Sequence, residues 1–231
     1  MGRSGRDPLH TLGGRIAEIV ARSLSSPFRG KPRGWRLEYE VGVDTPPILR
    51  VEAESSRVTV ECGGGDRIVV SGRAPGQEGV SVEEAVEDGR RIVVVRVEDS
   101  EARIAGPVKA LGVVADSSHV RIDCRSAPLA YLSLRLDSTR LRGVVSLREG
   151  GGVYANLDSS TVRLSVVPME GREYWLETVA DSSILHVTFN GGARYELVEK
   201  MLDDSTLKAS GKGGVRVRVW LRADSSIVLL S

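Results

Sequence analysis

Side-chain amides are nearly missing from this chain: Asn156, Asn190 and Gln77 are the only ones in 231 residues. Scarcity of these thermolabile groups points to a thermophilic source. Histidine and cysteine are almost as rare, with 3 and 2 copies. So few ligands and nucleophiles leave little room for a metal centre, and no metal or cofactor is expected. Aromatic residues make up 4%, too thin for an aromatic-lined pocket or a base-stacking platform. No run of 18 apolar residues exists, so no helix is expected to span a membrane. No signal peptide is read at the N-terminus, because Arg15, Glu18 and Arg22 break its apolar residues; a cytoplasmic location is the expectation. Gly-x-Ser-x-Gly, His-Glu-x-x-His, P-loop and GxGxxG fingerprints are all missing. Enzymatic activity is therefore not expected.

What is present is unevenly charged. The net charge is +1. Residues 1–36 carry eight basic and two acidic side chains, a net +6, which leaves −5 on the other 195 residues. A basic arm on an acidic body can bind an outside polyanion or its own body.

The body repeats. Ala115-Asp116-Ser117-Ser118-His119-Val120-Arg121-Ile122 returns as Leu157-Asp158-Ser159-Ser160-Thr161-Val162-Arg163-Leu164, and again from Ala180 to Val187. Further anchors stand at Glu54, Glu98, Asp137, Asp203 and Asp224. Successive intervals are 44, 18, 21, 21, 23, 22 and 21 residues. The interval of 44 is a double period, so a ninth, degenerate copy is expected at Gly76, with Val80 and Val82 in the apolar places.

Counting the anchor as zero, positions +4 and +6 are apolar almost throughout, as in Val120/Ile122 and Val162/Leu164. Positions −5, −3 and −1 are usually apolar too, as in Leu132/Leu134/Leu136. A period of two gives strands with one face inward. Asp-Ser-Ser is turn chemistry, since both residue types bond the backbone two residues on. The expected fold is all-β: a single-chain β-solenoid of about nine coils of 21–22 residues, over residues 35–231. Cys62 and Cys124 both fall at +8, in the first and fourth coils. Coils stack about 4.8 Å apart, so the two sulfurs are expected about 14 Å apart and unbonded, since a disulfide needs Cα atoms within about 7 Å.

Residues 1–34 read as a basic arm with an amphipathic helix over 8–24 and a linker. Leu9, Leu12, Ile16, Ile19, Val20 and Leu24 form its apolar stripe. Three roles are open to it: capping the first coil, lying on an anionic membrane surface, or docking on another subunit. At the other terminus the chain stops inside the last coil. Ile227, Val228, Leu229 and Leu230 form an apolar strand with no cap after it. An open edge of this kind pairs with other chains, so a homo-oligomer or filament joined through this strand is expected.

One outward row is basic. Position +5 holds Arg103, Arg121, Arg142, Arg163, His186 and Lys208. Stacked like charges call for a partner, either acidic side chains or an anionic polymer or surface such as nucleic acid, polysaccharide or lipid headgroups. The Asp column (Asp116, Asp137, Asp158, Asp181, Asp203, Asp224) lacks the Gly-rich nonapeptide of calcium-binding solenoids and reads as turn chemistry. No small-molecule substrate is expected.

In these turns and the Val-x-Val that follows them, residues 48–231 resemble the prokaryotic repeat family of putative adhesins, whose turns carry Gly/Ser-Asp before Val-x-Val. The design is also similar to bactofilins, cytoplasmic β-solenoids that polymerise end to end and attach to membranes by a short N-terminal segment. The coils here are longer and the N-terminal helix more extensive. The resemblance implies a self-associating scaffold without catalytic residues. A binding module using the basic row, or an exported adhesin, are the alternatives.

Overall fold

The middle residue of each Asp-Ser-Ser motif turns the chain. Ser55, Asp99, Ser117, Ser138, Ser159, Ser182, Asp204 and Ser225 all adopt positive φ angles, between 41° and 49°. This is left-handed space, which short polar side chains and glycine enter at modest cost. In the computed structural model, which describes residues 34–41, 46–73, 78–87, 90–169 and 173–231, each of these eight residues separates a strand that ends on the anchor from one that starts three residues later.

The described residues form no helix, and the protein is all-β. Its strands are β1 (Gly34–Glu40), β2 (Ile48–Glu54), β3 (Arg57–Cys62), β4 (Arg67–Arg73), β5 (Val80–Glu87), β6 (Arg90–Glu98), β7 (Glu101–Gly106), β8 (Ala110–Asp116) and β9 (His119–Asp137). There follow β10 (Arg140–Asp158), β11 (Thr161–Pro168), β12 (Glu173–Asp181), β13 (Ile184–Phe189), β14 (Ala193–Asp203), β15 (Thr206–Ala209), β16 (Val215–Asp224) and β17 (Ile227–Leu230). All belong to one large mixed sheet.

Its parallel pairings make two ladders. The strands before the corners stack in the order β6, β2, β8, the second half of β9, the second half of β10, β12, β16, β14. The strands after the corners stack as β7, β3, the first half of β9, the first half of β10, β11, β13, β17, β15. Val120, Leu141 and Val162 are register partners in adjacent strands. Val58, Val120, Leu141, Val162, Leu185 and Val228 are all buried, as are Leu132, Leu134 and Leu136 on the other ladder, and all sit in one continuous core.

The third residue of the motif ties the corners together. Ser118 Oγ donates to the Asp116 carbonyl at 2.7 Å, and Ser160 Oγ to that of Asp158 at 2.7 Å. Each such hydroxyl also accepts an N–H from the same motif position one strand away: Ser56 from Ser100, Ser118 from Ser56, Thr139 from Ser118, Ser160 from Thr139, Ser183 from Ser160, Ser226 from Ser183, and Ser205 from Ser226. This hydroxyl column satisfies backbone donors that the core would otherwise leave unpaired.

The stacking order differs from the chain order at both ends. The anchors stack as Glu98, Glu54, Asp116, Asp137, Asp158, Asp181, Asp224, Asp203. The turn at Glu54 is thus overlaid by one later in the chain, at Glu98, and the last stretch of chain inserts inside its predecessor. Three expectations fall with this. Cys62 and Cys124, at the same motif position, become neighbours and form a disulfide with Cα atoms 4.5 Å apart. Ile227, Val228, Leu229 and Leu230 are not an open edge, because β17 is hydrogen-bonded to β13 on one side and β15 on the other. The ninth copy does not join the parallel ladders: Val80 and Val82 lie in β5, which runs antiparallel to β6. Gly76 and the anticipated helix over 8–24, with Leu9, Leu12, Ile16, Ile19, Val20 and Leu24, fall outside the described residues.

The two ends of the stack are unlike. Beyond β6 and β7 the chain adds antiparallel strands: β5 on β6, β4 on β7, and β1 on β4. Tyr39 on β1, Glu84 on β5 and Arg91 next to β6's start join across this end. Tyr39 donates to Glu84, Arg91 Nε pairs with Glu84 at 2.7 Å, and the Arg91 guanidinium lies over the Tyr39 ring. The Tyr39 and Arg91 hydrogen bonds hold the Glu84 carboxyl below the usual carboxylate range. At the far end, among the described residues, the ladders stop at β14 and β15.

Candidate anion-binding face

Odd-numbered motif positions after the corner alternate with the buried ones, so +3 and +5 share the outer face of the second ladder. In stacking order the +5 row reads Arg103, Thr59, Arg121, Arg142, Arg163, His186, Leu229, Lys208. Four of the six basic residues anticipated for this row are therefore consecutive: Arg121, Arg142, Arg163 and His186. Arg103 is set apart by Thr59 and is neutralised by Glu61 at 2.5 Å. Lys208 is set apart by Leu229.

The +3 row adds what the sequence reading missed. Arg57, His119 and Arg140 are register partners on β3, β9 and β10. They widen the arginine column into a patch two residues across. The signal was available, since +3 and +5 have the same parity. Arg57 joins only because β3 stacks on β9. Arg57, Arg121, Arg140, Arg142, Arg163, His119 and His186 line one shallow groove of about 920 Å³.

Several arginines elsewhere on the surface are ion-paired. On the first ladder, Arg96 meets Glu52 at 2.8 Å and Glu83 at 2.6 Å, Arg216 meets Glu173 and Arg222 meets Glu199. In the groove, Arg57, Arg121, Arg140, Arg142 and Arg163 have no carboxylate within ion-pairing distance among the described residues. The nearest acid on the +7 row is Asp123. It is bound to Arg125 at 2.5 Å, which holds its carboxyl below the usual range; the field of Arg121 acts in the same direction. His186 lies 3.4 Å from both Ser231 Oγ and Thr188 Oγ1.

The acidic side chains stack elsewhere, on the corners. Asp116, Asp137, Asp158, Asp181 and Asp224 each accept a hydrogen bond from the following serine, at 2.7–3.0 Å. No group of three or more His, Cys, Asp or Glu side chains among the described residues is arranged to hold a metal ion.

No protein-family model and no curated protein matches the chain. Solved structures do resemble it. A putative cell adhesion protein from Clostridium sporogenes is 10% identical with a TM-score of 0.43, over 87% of this chain and 99% of that one. A putative adhesin from Parabacteroides distasonis is 10% identical with a TM-score of 0.37, over 87% and 98%. A putative lipid binding protein from the same species is 9% identical with a TM-score of 0.26, over 86% and 96%. Likenesses this distant transfer no function.

Proposed function

We propose that the chain is a non-enzymatic β-solenoid whose two ladders are the faces of stacked coils, and that it serves as a binding module for an anionic polymer. The observation that carries this reading is the column Arg121, Arg142, Arg163. Its guanidinium groups come from three adjacent strands in register, and none is within ion-pairing distance of a carboxylate among the described residues. Strands stack about 4.8 Å apart, so the column is a line of positive charge rigid enough to track a regularly charged chain. Arg57 and Arg140 give it breadth. Guanidinium is suited to phosphate and sulfate, which it can meet with two parallel hydrogen bonds. His119 and His186 stand three strands apart, about 14 Å, which supports a binding rather than an acid–base role.

Titration of heparin and of duplex DNA against the protein, at several salt concentrations, tests the reading. Binding of at least one is expected, weakening as salt rises. For duplex DNA the log–log slope should be roughly 0.9 per phosphate contacted. Reversal of all three charges (Arg121→Glu, Arg142→Glu, Arg163→Glu) is expected to abolish binding, while Arg135→Glu on the opposite face leaves it intact. A folded triple variant that binds as well as the parent would overturn the proposal, as would failure of both polymers to bind the parent at low salt.

A further inference from the structure

Aromatic residues, only 4% of the chain, are not spread evenly over the molecule. Tyr131, Tyr154, Trp175 and Trp220 take outward positions on the first ladder, and each is half-buried. Strand alternation ordinarily presents polar residues to water there. Tyr131 and Tyr154 belong to adjacent strands: Tyr131 is the register partner of Gly152, two residues before Tyr154. Trp175, on the other side of Gly152, packs on that glycine's bare backbone, where a Cβ would meet its indole atoms at 2.1–2.5 Å. Three rings thus stand side by side across β9, β10 and β12.

Tyr131 and Tyr154 line a cavity of about 680 Å³, inside the roughly 300–1,000 Å³ of ordinary ligand pockets. Gly112 and Ser133 also line it; they are register partners, and Ser133 is partner in turn to Tyr154. The fold does not demand glycine at position 112. A Cβ there would meet nothing closer than the Leu49 carbonyl oxygen at 3.9 Å, and the backbone is not left-handed. Glycine weakens a strand interior, and where no bulge or crowding calls for it, it marks a close approach to the backbone from outside.

The hydrogen-bonding groups around this cavity are unengaged. Tyr39, Tyr174 and Tyr195 each donate their hydroxyl within the protein. Tyr131 and Tyr154 do not, among the described residues. Asn190 accepts from Ser165 at 3.0 Å. Asn156, which lines the cavity beside its register partner Arg135, has no side-chain partner among the described residues, and neither have Ser133 and Arg135.

We infer that this cavity binds a carbohydrate, with a hexopyranose unit of an oligosaccharide packed on Tyr131 and Tyr154. A pyranose is apolar on the face of its ring, where C–H bonds point, and carries hydroxyls around its edge. Tyrosine rings suit the face and their own hydroxyls the edge. Ser133 and Asn156 both donate and accept, and Arg135 donates, so together they answer a mixed set of sugar hydroxyls. A proline-rich peptide also seeks aromatic grooves, but its prolines have no N–H to offer and would leave most acceptors here unanswered. The cavity lies on a different ladder from Arg121, Arg142 and Arg163, so the inference stands apart from polyanion binding by the groove.

Saturation-transfer NMR of the full chain with four uncharged hexasaccharides (of β-1,4-glucose, α-1,4-glucose, β-1,4-mannose and β-1,4-N-acetylglucosamine) reads the contact. Uncharged probes keep the basic groove out of the result. Saturable transfer to at least one is expected. Tyr154→Ala should weaken its binding about tenfold or more, and Asn156→Ala about threefold or more. Gly112→Ile, which fills the cavity with a good strand former, should abolish binding while the melting temperature stays level or rises. Reversal of the three groove arginines should leave hexasaccharide binding unchanged. Three results each overturn the inference: no transfer to any of the four, Gly112→Ile and Asn156→Ala variants that are folded and bind like the parent, or binding of a decaproline peptide in place of the sugars. None of them alters the outcome expected for heparin or DNA at the groove.

Discussion

Ser160 shows how much one small side chain holds. Its hydroxyl donates to the Asp158 carbonyl at 2.7 Å and accepts the Thr139 N–H at 3.0 Å, and its own N–H reaches Ser183 Oγ at 3.0 Å. Ser160 is buried, so a lost acceptor strands a backbone donor where water cannot replace it. Ser160→Ala is expected to destabilise the protein by about 1–3 kcal/mol. Ser160→Thr should retain most of the stability, because Thr139 already fills the equivalent place in the column. Urea unfolding of the two variants against the parent checks this; equal losses would show that volume, not the hydrogen bond, is decisive. Half of this arrangement was readable beforehand. A serine bonding back two residues is local chemistry, and Asp-Ser-Ser announces it. The other half joins residues 21–23 apart, and depends on which strands meet.

Along a strand ladder, the repeat that makes a core also makes a cost. Identical motif positions stack, so outward arginines are placed against one another. Arg121, Arg142 and Arg163 repel by up to roughly 1 kcal/mol per neighbouring pair in a water-like dielectric. Arg142→Thr removes the middle charge and substitutes the residue that Thr59 already places in this row. The variant is expected to be more stable than the parent by about 1 kcal/mol at low salt, with the gain shrinking as screening shortens the Debye length. Thermal unfolding at two ionic strengths measures it. A gain that survives high salt would assign the effect to strand propensity. Strands were legible because alternation is a property of the chain itself: −5, −3, −1, +4 and +6 are buried where the pattern put them in the copies anchored at Glu54, Glu98, Asp116, Asp158, Asp181 and Asp224. Direction was not. Val80 and Val82 alternate as well as any copy, yet β5 runs antiparallel, because period-two patterning is the same read either way.

For the molecule as a whole, the decisive fact is that neighbours in the stack are not always neighbours in the chain. At the first end the sequence held a hint. The interval of 44 residues between Glu54 and Glu98 is length enough for the chain to leave, build β4 and β5, and return on the outer side of β2 and β3. At the second end it held none, since the intervals of 22 and 21 into Asp203 and Asp224 match those of the uncrossed middle. Backbone pairing is indifferent to which of two similar strand pairs lies inside, so the choice rests on packing that no local pattern encodes. The disulfide tests the order directly. Cys62 and Cys124 share the +8 position under any order, but they touch only if β3 lies on β9. Alkylation of the unfolded, unreduced protein should therefore add no label, and reduction should expose two. The bond closes a loop across 62 residues, worth about 2–4 kcal/mol. Reductant, or Cys62→Ser, should accordingly lower the melting temperature by roughly 5–15 °C. Two labels without reduction would return the strand pairs to chain order. Arg57 would then leave His119, and the groove would lose one of its five arginines that have no ion pair among the described residues.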